Sequence, residues 1–276
     1  MKKIRKTIKG LLEIIKNPWL LNNVLSDDTV WSRYITKKHK INYGLPLLDI
    51  NQVCHNFSEN LECFAFLDGG SLPTDIALLK SLSKRFDKCK YFEIGTWRGE
   101  SVINVAENAE ECYTLNLSKS EMLSQGLSER YADLHGFFSK DKENIKHLTG
   151  NSLTFDFQSL NKKFDLIFID GNHHYDYVKN DTEKIFKHLI HDDSIIVWHD
   201  YAYTPEKLRP EIFAAILDGT PPEYKKHLYH VSNTMCAIFI REDFHTKEFE
   251  TPIIPNKTFK VKIESKQLHT TKNKRH

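Results

Sequence analysis

The chain has 276 residues, of which 40% are apolar, and its formal net charge is +2. This length and composition predict a globular protein with one sizeable α/β domain and extensions, or with two small domains, and they exclude a disordered chain. The five cysteines are scattered without a Cys-x-x-Cys pair, which argues against a disulfide framework or a zinc site and favours a cytoplasmic location.

The charges are distributed unevenly along the chain. Residues 1–16 carry six Lys or Arg and one Glu, and residues 256–276 carry seven Lys or Arg and one Glu. The stretch between these ends holds 26 basic and 35 acidic residues, a net charge of about −9. Because an acidic body lacks the broad basic footprint that nucleic acids require, we predict no nucleic-acid partner.

The N-terminal stretch predicts an amphipathic helix. Within residues 1–16, helical spacing places lysines on one side and a stripe of apolar residues on the other, namely Ile4, Ile8, Leu11, Leu12 and Ile15. This pattern fits a helix that lies on the inner membrane surface, and it also fits a helix packed on its own domain or on a partner. Polar residues and a proline interrupt the apolar run at 13 and 16–18, so we expect neither a cleaved signal peptide nor a membrane span.

Residues 1–68 are assigned to this basic helix and an N-terminal helical cap. Residues 17–68, which form the cap, are rich in aromatic residues and mix apolar with polar residues without clear periodicity. The following stretch, DGGSLPTDIALLKSLSKRF, predicts a loop and then a helix with Thr74 as its N-cap. Residues 242–276 are polar and basic, and we predict a loose or extended tail for them.

Residues 69–241 alternate between apolar strands and helices, a pattern typical of a parallel sheet covered on both faces. A Ser-Asn turn within residues 227–240 predicts a terminal hairpin. The predicted fold is therefore α/β, a doubly wound and mostly parallel seven-stranded sheet that ends in an antiparallel hairpin. The other strands are predicted at 90–95, 112–117, 145–152, 164–170 and 194–200, with helices after Gly99 and at 175–190.

Nearly every predicted strand ends in polar residues, and ligands of a doubly wound sheet bind beyond those carboxyl ends. Gly95 and Gly99 flank the turn after the first of these strands, where a missing side chain lets a ligand approach the backbone. Their Glu-x-Gly-x-x-x-Gly spacing differs from the Gly-x-Gly-x-x-Gly of dinucleotide sites, which argues against a dehydrogenase. The polar strand ends are residues 93–99, Asn116, 150–152, 170–175 and 199–201.

The stretch EIGTWRGES, together with the later strand ends, resembles the class I S-adenosylmethionine-dependent methyltransferases. The segment FDLIFIDGNHHYDYVKND, with its Asp-Gly-x-His-x-Tyr pattern, resembles more narrowly the branch of macrolide-sugar, or macrocin-type, O-methyltransferases. The resemblance covers roughly residues 70–241 and implies a Rossmann-like methyltransferase fold, S-adenosylmethionine as cofactor and a small-molecule acceptor such as a sugar.

The same resemblance implies where the cofactor binds. Glu93 would lie near the methionine amino end, and Asn151 and Ser152 near the adenine. Asn116 stands where the family usually has an acidic residue for the ribose hydroxyls; an amide can accept one hydrogen bond and donate another, so this departure bears on affinity more than on the fold. The full implied cofactor set is Glu93, Gly95, Thr96, Trp97, Gly99, Ser101, Asn116, Asn151, Ser152 and Asp170.

Methyl transfer to a hydroxyl requires alignment of the acceptor oxygen and removal of its proton. His173 matches the His of the motif and is the predicted base, since the pKa of a histidine lies near neutrality. The alternative is that His173 and His174 cap the next helix or bond to neighbouring carbonyls. Asp170 is predicted at the junction of cofactor and acceptor, as a second catalytic residue.

A metal ion is a second route to an activated hydroxyl, and the resembling branch is often metal-dependent. Asp170 and Asp200 end adjacent predicted strands and could share Mg²⁺, with His199 as a third ligand. Because His is a poor ligand for Mg²⁺, reactions with and without a metal both stay open. Four aromatic residues at these strand ends fit either a platform for a sugar or cofactor, or packing of the cap, namely Trp97, Trp198, Tyr201 and Tyr203.

The leading hypothesis is an S-adenosylmethionine-dependent O-methyltransferase. One alternative is a methyltransferase for a nitrogen or for a lipid-linked glycan, which the basic N-terminal helix favours. Another is a binding or scaffold protein that keeps the fold without turnover, which Asn116 favours. The sequence defines neither the acceptor nor the oligomeric state.

Overall fold

A computed structural model describes residues 2–25 and 27–268. The centre of the fold is one mixed β-sheet. Nine strands form the sheet in the order β11-β1-β9-β10-β6-β5-β2-β3-β4, while β7 and β8 pair separately. The strands are β1 (Leu47–Leu48), β2 (Cys89–Ile94), β3 (Ala109–Asn116), β4 (Ile145–Thr149), β5 (Leu166–Ile169), β6 (Ile195–Trp198), β7 (Ala202–Thr204), β8 (Lys207–Leu208), β9 (Leu228–Val231), β10 (Ala237–Phe239) and β11 (Thr246–Lys247).

The predicted count of seven strands is wrong, because the sheet has nine. Each of the seven predicted segments contains a strand, and β9 and β10 form the antiparallel hairpin. The sheet does not end at this hairpin, since β1 pairs in parallel with β9 and antiparallel with β11. Two-residue strands are too short to show an alternating pattern, so β1 and β11 could not be predicted from hydrophobic periodicity.

Apart from two 3-10 helices (Phe157–Leu160 and Pro222–His227), the described part of the chain contains ten α-helices. They are α1 (Lys2–Lys16), α2 (Leu20–Leu25), α3 (Asp28–His39), α4 (Ile50–Val53), α5 (Pro73–Ser83), α6 (Glu100–Val105), α7 (Lys119–Ser124), α8 (Glu129–Ala132), α9 (Tyr175–His188) and α10 (Pro210–Gly219). Thr74 is not the N-cap of α5. The helix begins at Pro73, and its N-cap is Leu72. Proline suits this first position, where its missing N–H leaves no hydrogen bond unmade.

The sheet is buried on both faces, as the unbroken apolar strands predict. Successive residues of each central strand point to opposite sides: Phe92 and Ile94 pack with α9 and α10, while Tyr91 packs with α4, α5 and α6. The same alternation holds along β5 and β6. These two apolar layers hold the strands in place between them. The ends of the strands therefore form the floor of any site above the sheet.

Part of the predicted cap belongs to the main fold. Lys38 of α3 lies 2.7 Å from the buried carboxylate of Asp218 in α10, and β1 joins the sheet. The division at residues 68 and 241 stays a prediction. None of the helices in residues 2–25 and 27–268 has the length and apolar character that a bilayer crossing requires.

Candidate active site

The carboxyl ends of four central strands lie level with one another. Ile94 at the end of β2 pairs with Leu115 of β3 and with Ile169 of β5, and Ile169 in turn pairs with Trp198 of β6. Backbone hydrogen bonds continue beyond the strands: Gly95 N donates to Leu115 O at 2.9 Å, and Asp170 N donates to Ile94 O at 2.8 Å. The loops that follow these strands therefore emerge at one edge of the sheet, as the fold predicts.

A cavity of about 640 Å³ opens above this edge. Its size is within the usual range for small-molecule sites. The structure brings together nine of the predicted site residues as its lining, namely Gly95, Trp97, Asn116, Asn151, Ser152, Asp170, His173, His199 and Asp200.

Glu93, Thr96, Gly99 and Ser101 are not among the lining residues, so the expected contact between Glu93 and a cofactor is not what the structure has. Glu93 is fully buried beneath the loop. Its carboxylate accepts hydrogen bonds from the hydroxyls of Tyr91, Ser101 and Thr114, each at 2.8 Å. Glu93 thus ties β2, β3 and α6 together and supports the loop from below.

Burial raises the pKa of Glu93 to about 8, although the hydrogen bonds from Thr114, Ser101 and Tyr91 act in the opposite direction. The folded protein then holds a proton that the unfolded chain releases near its ordinary pKa of 4.5. Since the pKa is raised on folding, the free energy of unfolding should fall as pH rises from about 4.5 to about 8.

Glu93→Gln is expected to reduce this pH dependence, by at most about 1.4 kcal/mol per pH unit within that window. Urea denaturation at several pH values measures it. Glu223→Gln, an exposed carboxyl-to-amide change, serves as the matched control and should keep the parental slope. Equal slopes in the parent and in Glu93→Gln would refute the proposed protonation of Glu93.

Two glycines permit close approaches that other residues would block. Gly95 has φ of +98°, and a Cβ there would lie 2.0 Å from the carbonyl oxygen of Asp170. Gly99 has φ of +80°, and a Cβ there would lie 2.3 Å from Ser139 Oγ. Gly95 therefore allows the loops after β2 and β5 to meet, while Gly99 makes room for a neighbouring segment and not for a cofactor.

An aromatic group forms one wall of the cavity. The ring centroid of Trp97 lies 4.8 Å from that of Tyr131 and 5.2 Å from that of His135, and all three residues line the cavity. Tyr131 and His135 lie in and after the short helix α8, where the sequence carried no signal of their role. Trp198 and Tyr201 are fully buried, so the interpretation of these two as a ligand platform is wrong and they belong to the core.

A second wall comes from the loop before α5. Asp68, Gly69 and Gly70 line the cavity, and Arg98 Nη1 donates to the Asp68 carbonyl oxygen at 3.0 Å. Arg98 also forms a buried ion pair with Glu100 at 3.2 Å. This pair fixes the loop against the turn after β2, and neither partner was predicted as a site residue.

Two carboxylates and two imidazoles meet at the other end of the cavity. His173 Nδ1 forms an ion pair with Asp200 Oδ2. His199 Nδ1 lies 3.0 Å from Asp170 Oδ1 and 3.4 Å from Asp200 Oδ2. Burial disfavours charge on His173 and Asp200, but their mutual attraction outweighs it: the pKa of His173 is raised and that of Asp200 is lowered.

Asp75 is a residue of this site that the sequence analysis missed. Its buried carboxylate lies 3.1 Å from His199 Nε2 and accepts backbone hydrogen bonds from Leu72 at 2.7 Å and Met235 at 2.9 Å. These contacts orient the His199 ring with Nδ1 towards the cavity. In the sequence, Asp75 shows only as an acidic residue in the first turn of a helix, where such residues are common.

The donor atoms of Asp170, His173 and Asp200 lie within 4.8 Å of one another, so they could hold a metal ion. His199 Nδ1, which is buried, faces the carboxylates of Asp170 and Asp200 at 3.0 and 3.4 Å and is therefore a further donor beside the same position. Mg²⁺ prefers oxygen ligands, whereas imidazole suits transition metals. The residues present therefore fit a divalent transition-metal ion and fit Mg²⁺ poorly.

Residues 92–201 match a family model described as a methyltransferase domain. The chain is also similar to solved methyltransferase structures. With an O-methyltransferase from Bacillus cereus in complex with S-adenosylhomocysteine it shares 15% identity over 78% of this chain and 100% of the other, with a TM-score of 0.41. An S-adenosylhomocysteine-bound methyltransferase from Podospora anserina shares 17% identity with the chain, over 61% of this chain and 78% of the other, with a TM-score of 0.41.

A third similar structure is an S-adenosylmethionine-bound amino pentose methyltransferase from Micromonospora echinaspora, with 16% identity over 54% of this chain and 62% of the other, and a TM-score of 0.35. No curated protein sequence matches the chain. The family match agrees with the methyltransferase part of the predicted resemblance, and the mostly parallel central strands agree with the predicted α/β sheet. The macrolide-sugar branch is not among these findings.

Proposed function

We propose that this chain transfers a methyl group from S-adenosylmethionine to a hydroxyl of a small polar acceptor, such as a sugar. One observation carries the proposal: a single cavity joins the loops after β2, β3 and β4 to the cluster of Asp170, His173, His199 and Asp200. The first end offers backbone and amide groups for a nucleoside, and the second offers groups that handle protons.

Gly95, Trp97, Asn116, Asn151 and Ser152 would hold the cofactor. S-adenosylmethionine, when bound, supplies a methyl group on a positively charged sulfur, which is a strong electrophile. The side-chain amide of Asn116 donates to its neighbour Leu117 O at 3.2 Å, which leaves its oxygen as an acceptor for a ribose hydroxyl.

His173 is the proposed base. Asp200 engages Nδ1, so in the neutral imidazole, which becomes more populated as pH rises above the raised pKa of His173, Nε2 can accept the proton of an acceptor hydroxyl, and the carboxylate then stabilises the imidazolium. Asp200 has φ of +54°, a backbone conformation that is uncommon outside glycine and frequent at functional sites. Arg209 lines the same end of the cavity and could bind a polar acceptor.

Asp170, His199 and Asp200 would hold a divalent transition-metal ion in place of the expected Mg²⁺. Such an ion lowers the pKa of a coordinated hydroxyl. Asp75 keeps His199 Nδ1 directed at this position through its contact with Nε2. The five cysteines are free, in keeping with the cytoplasmic location that we propose.

Isothermal titration calorimetry with S-adenosylhomocysteine tests the proposal. We expect micromolar binding by the parent protein. Asn116→Asp should bind about tenfold more tightly, because a carboxylate accepts hydrogen bonds from the ribose more strongly than an amide does. Asn108→Asp, an identical change outside the cavity lining, should leave the affinity unchanged.

Absence of binding by both the parent and Asn116→Asp would favour the second candidate, a methyltransferase-fold protein without turnover. The amide at position 116 is the observation that favours this candidate. Binding without methyl transfer to any hydroxyl acceptor would instead direct attention to nitrogen acceptors or to lipid-linked glycans.

A further inference from the structure

The first two helices present an apolar surface that the described part of the chain does not cover. Helix α1 has no buried residue. Five apolar side chains at spacings of four, three, one and three residues form one stripe along it. Each of them is more than half exposed: Ile4, Ile8, Leu11, Leu12 and Ile15.

The stripe continues beyond α1. Trp19 is 64% exposed, and α2 adds the exposed side chains of Leu21, Val24 and Leu25. Soluble surfaces rarely leave so many large apolar side chains together, and such patches mark interaction sites. Tryptophan beside an amphipathic helix is a residue that prefers the boundary between lipid and water.

The remaining surface of α1 is basic. Six Lys or Arg and one Glu accompany the apolar stripe, so the helix carries a strong positive charge while the body of the protein is acidic. A positive amphipathic helix complements a negatively charged lipid surface, where apolar side chains enter the acyl boundary and lysines meet the headgroups. This charge is the reason for choosing a lipid surface over a protein groove.

The segment is attached beside the mouth of the cavity. Helix α3 follows α2 closely, and Trp31 of α3 stacks on Tyr175 with ring centroids 4.8 Å apart. Tyr175 begins α9 two residues after His173. Tyr203, whose hydroxyl donates to Asp28 at 3.1 Å, packs under the guanidinium of the cavity residue Arg209.

We propose that residues 2–25 bind the surface of an anionic bilayer, with α1 lying in the plane of the interface. The inference does not depend on the methyltransferase function, because it rests on the exposed stripe and the charge of α1 alone. Bound in this way, the segment would hold the mouth of the cavity close to the lipid surface.

Flotation of the full chain with vesicles tests the proposal. We expect binding to vesicles of phosphatidylcholine with phosphatidylglycerol, and much weaker binding to phosphatidylcholine alone. Ile15→Glu should lower the partition coefficient at least about tenfold. Lys6→Gln with Lys9→Gln should lower it about 30-fold, and added salt should weaken binding by the parent.

Ile254→Glu is the matched control, since Ile254 is 87% exposed and lies outside the segment. It should bind like the parent. The proposal is overturned if neither vesicle binds the chain, if both bind it equally, or if Ile15→Glu and Ile254→Glu behave alike. A dimer in sedimentation analysis that Ile15→Glu dissociates, without any vesicle binding, would overturn it and assign the stripe to a second copy.

Discussion

Replacing Gly95 with alanine is expected to abolish binding of S-adenosylhomocysteine and to lower the free energy of unfolding by more than about 3 kcal/mol. A Cβ at this position would lie 2.0 Å from the carbonyl oxygen of Asp170, and φ of +98° is itself unfavourable for alanine. The clash is with backbone, so relief requires the ends of β2 and β5 to separate. Those ends form the floor of the cavity.

Gly126→Ala separates the steric clash of the added Cβ from the cost of a positive φ. Gly126 has φ of +84°, yet nothing lies within 4 Å of the added Cβ, so only the conformational cost of about 1 kcal/mol applies. Urea denaturation and calorimetry measure both variants. If Gly95→Ala is no less stable than Gly126→Ala, the close approach of the two loops is not as the structure has it.

Loss of Asp200 or His199 is expected to weaken Co²⁺ binding at least about 100-fold, because each removes a proposed ligand: Asp200 belongs to the donor cluster, and His199 Nδ1 lies 3.4 Å from Asp200 Oδ2. Co²⁺ is a suitable probe, since its visible absorption reports on nitrogen and oxygen ligands independently of catalysis. Titrations of the parent, Asp200→Ala and His199→Ala measure the effect. Asp176→Ala, at an exposed position of α9, should bind Co²⁺ like the parent.

Asp75→Asn tests whether the orientation of His199 matters. An amide still accepts one hydrogen bond but no longer favours the same protonation of His199, so we expect Co²⁺ affinity to fall about tenfold. Mg²⁺ at the same concentration should not displace Co²⁺. Tighter binding of Mg²⁺ than of Co²⁺, or unchanged Co²⁺ affinity in Asp200→Ala, would contradict the proposed donor set.

Most of the sheet was predictable because its signals are local. Buried parallel strands read as short apolar runs, and polar residues follow each run, so Asp170 and Asn116 could be placed at strand ends without coordinates. The strands β1 and β11 were missed because a strand of two residues shows no hydrophobic alternation. Their positions depend on a free edge beside β9, which only the assembled sheet provides.

Within the site, the same distinction separates the residues that were found from those that were missed. His173 and Asp200 stand in conspicuous polar segments, whereas Asp75 lies more than 120 residues before His199 in the chain and looks like ordinary helix capping. Glu93 was expected beside the cofactor because the sequence does not show whether a carboxylate at a strand end points to the cavity or into the core. Burial among three hydroxyls decides for the core.

The alternation of strands and helices, the edge of the sheet at which the polar strand ends meet and the chemistry of the groups collected there could all be predicted from the sequence. These follow from hydrophobic periodicity and from the parallel direction of the strands, which depend on neighbours along the chain. Three features became visible only in the assembled fold: Glu93 supports the loop, Asp75 orients His199 and Gly95 faces the Asp170 carbonyl. Each of these depends on the direction of a side chain or on the separation of distant backbone segments, and packing alone fixes both.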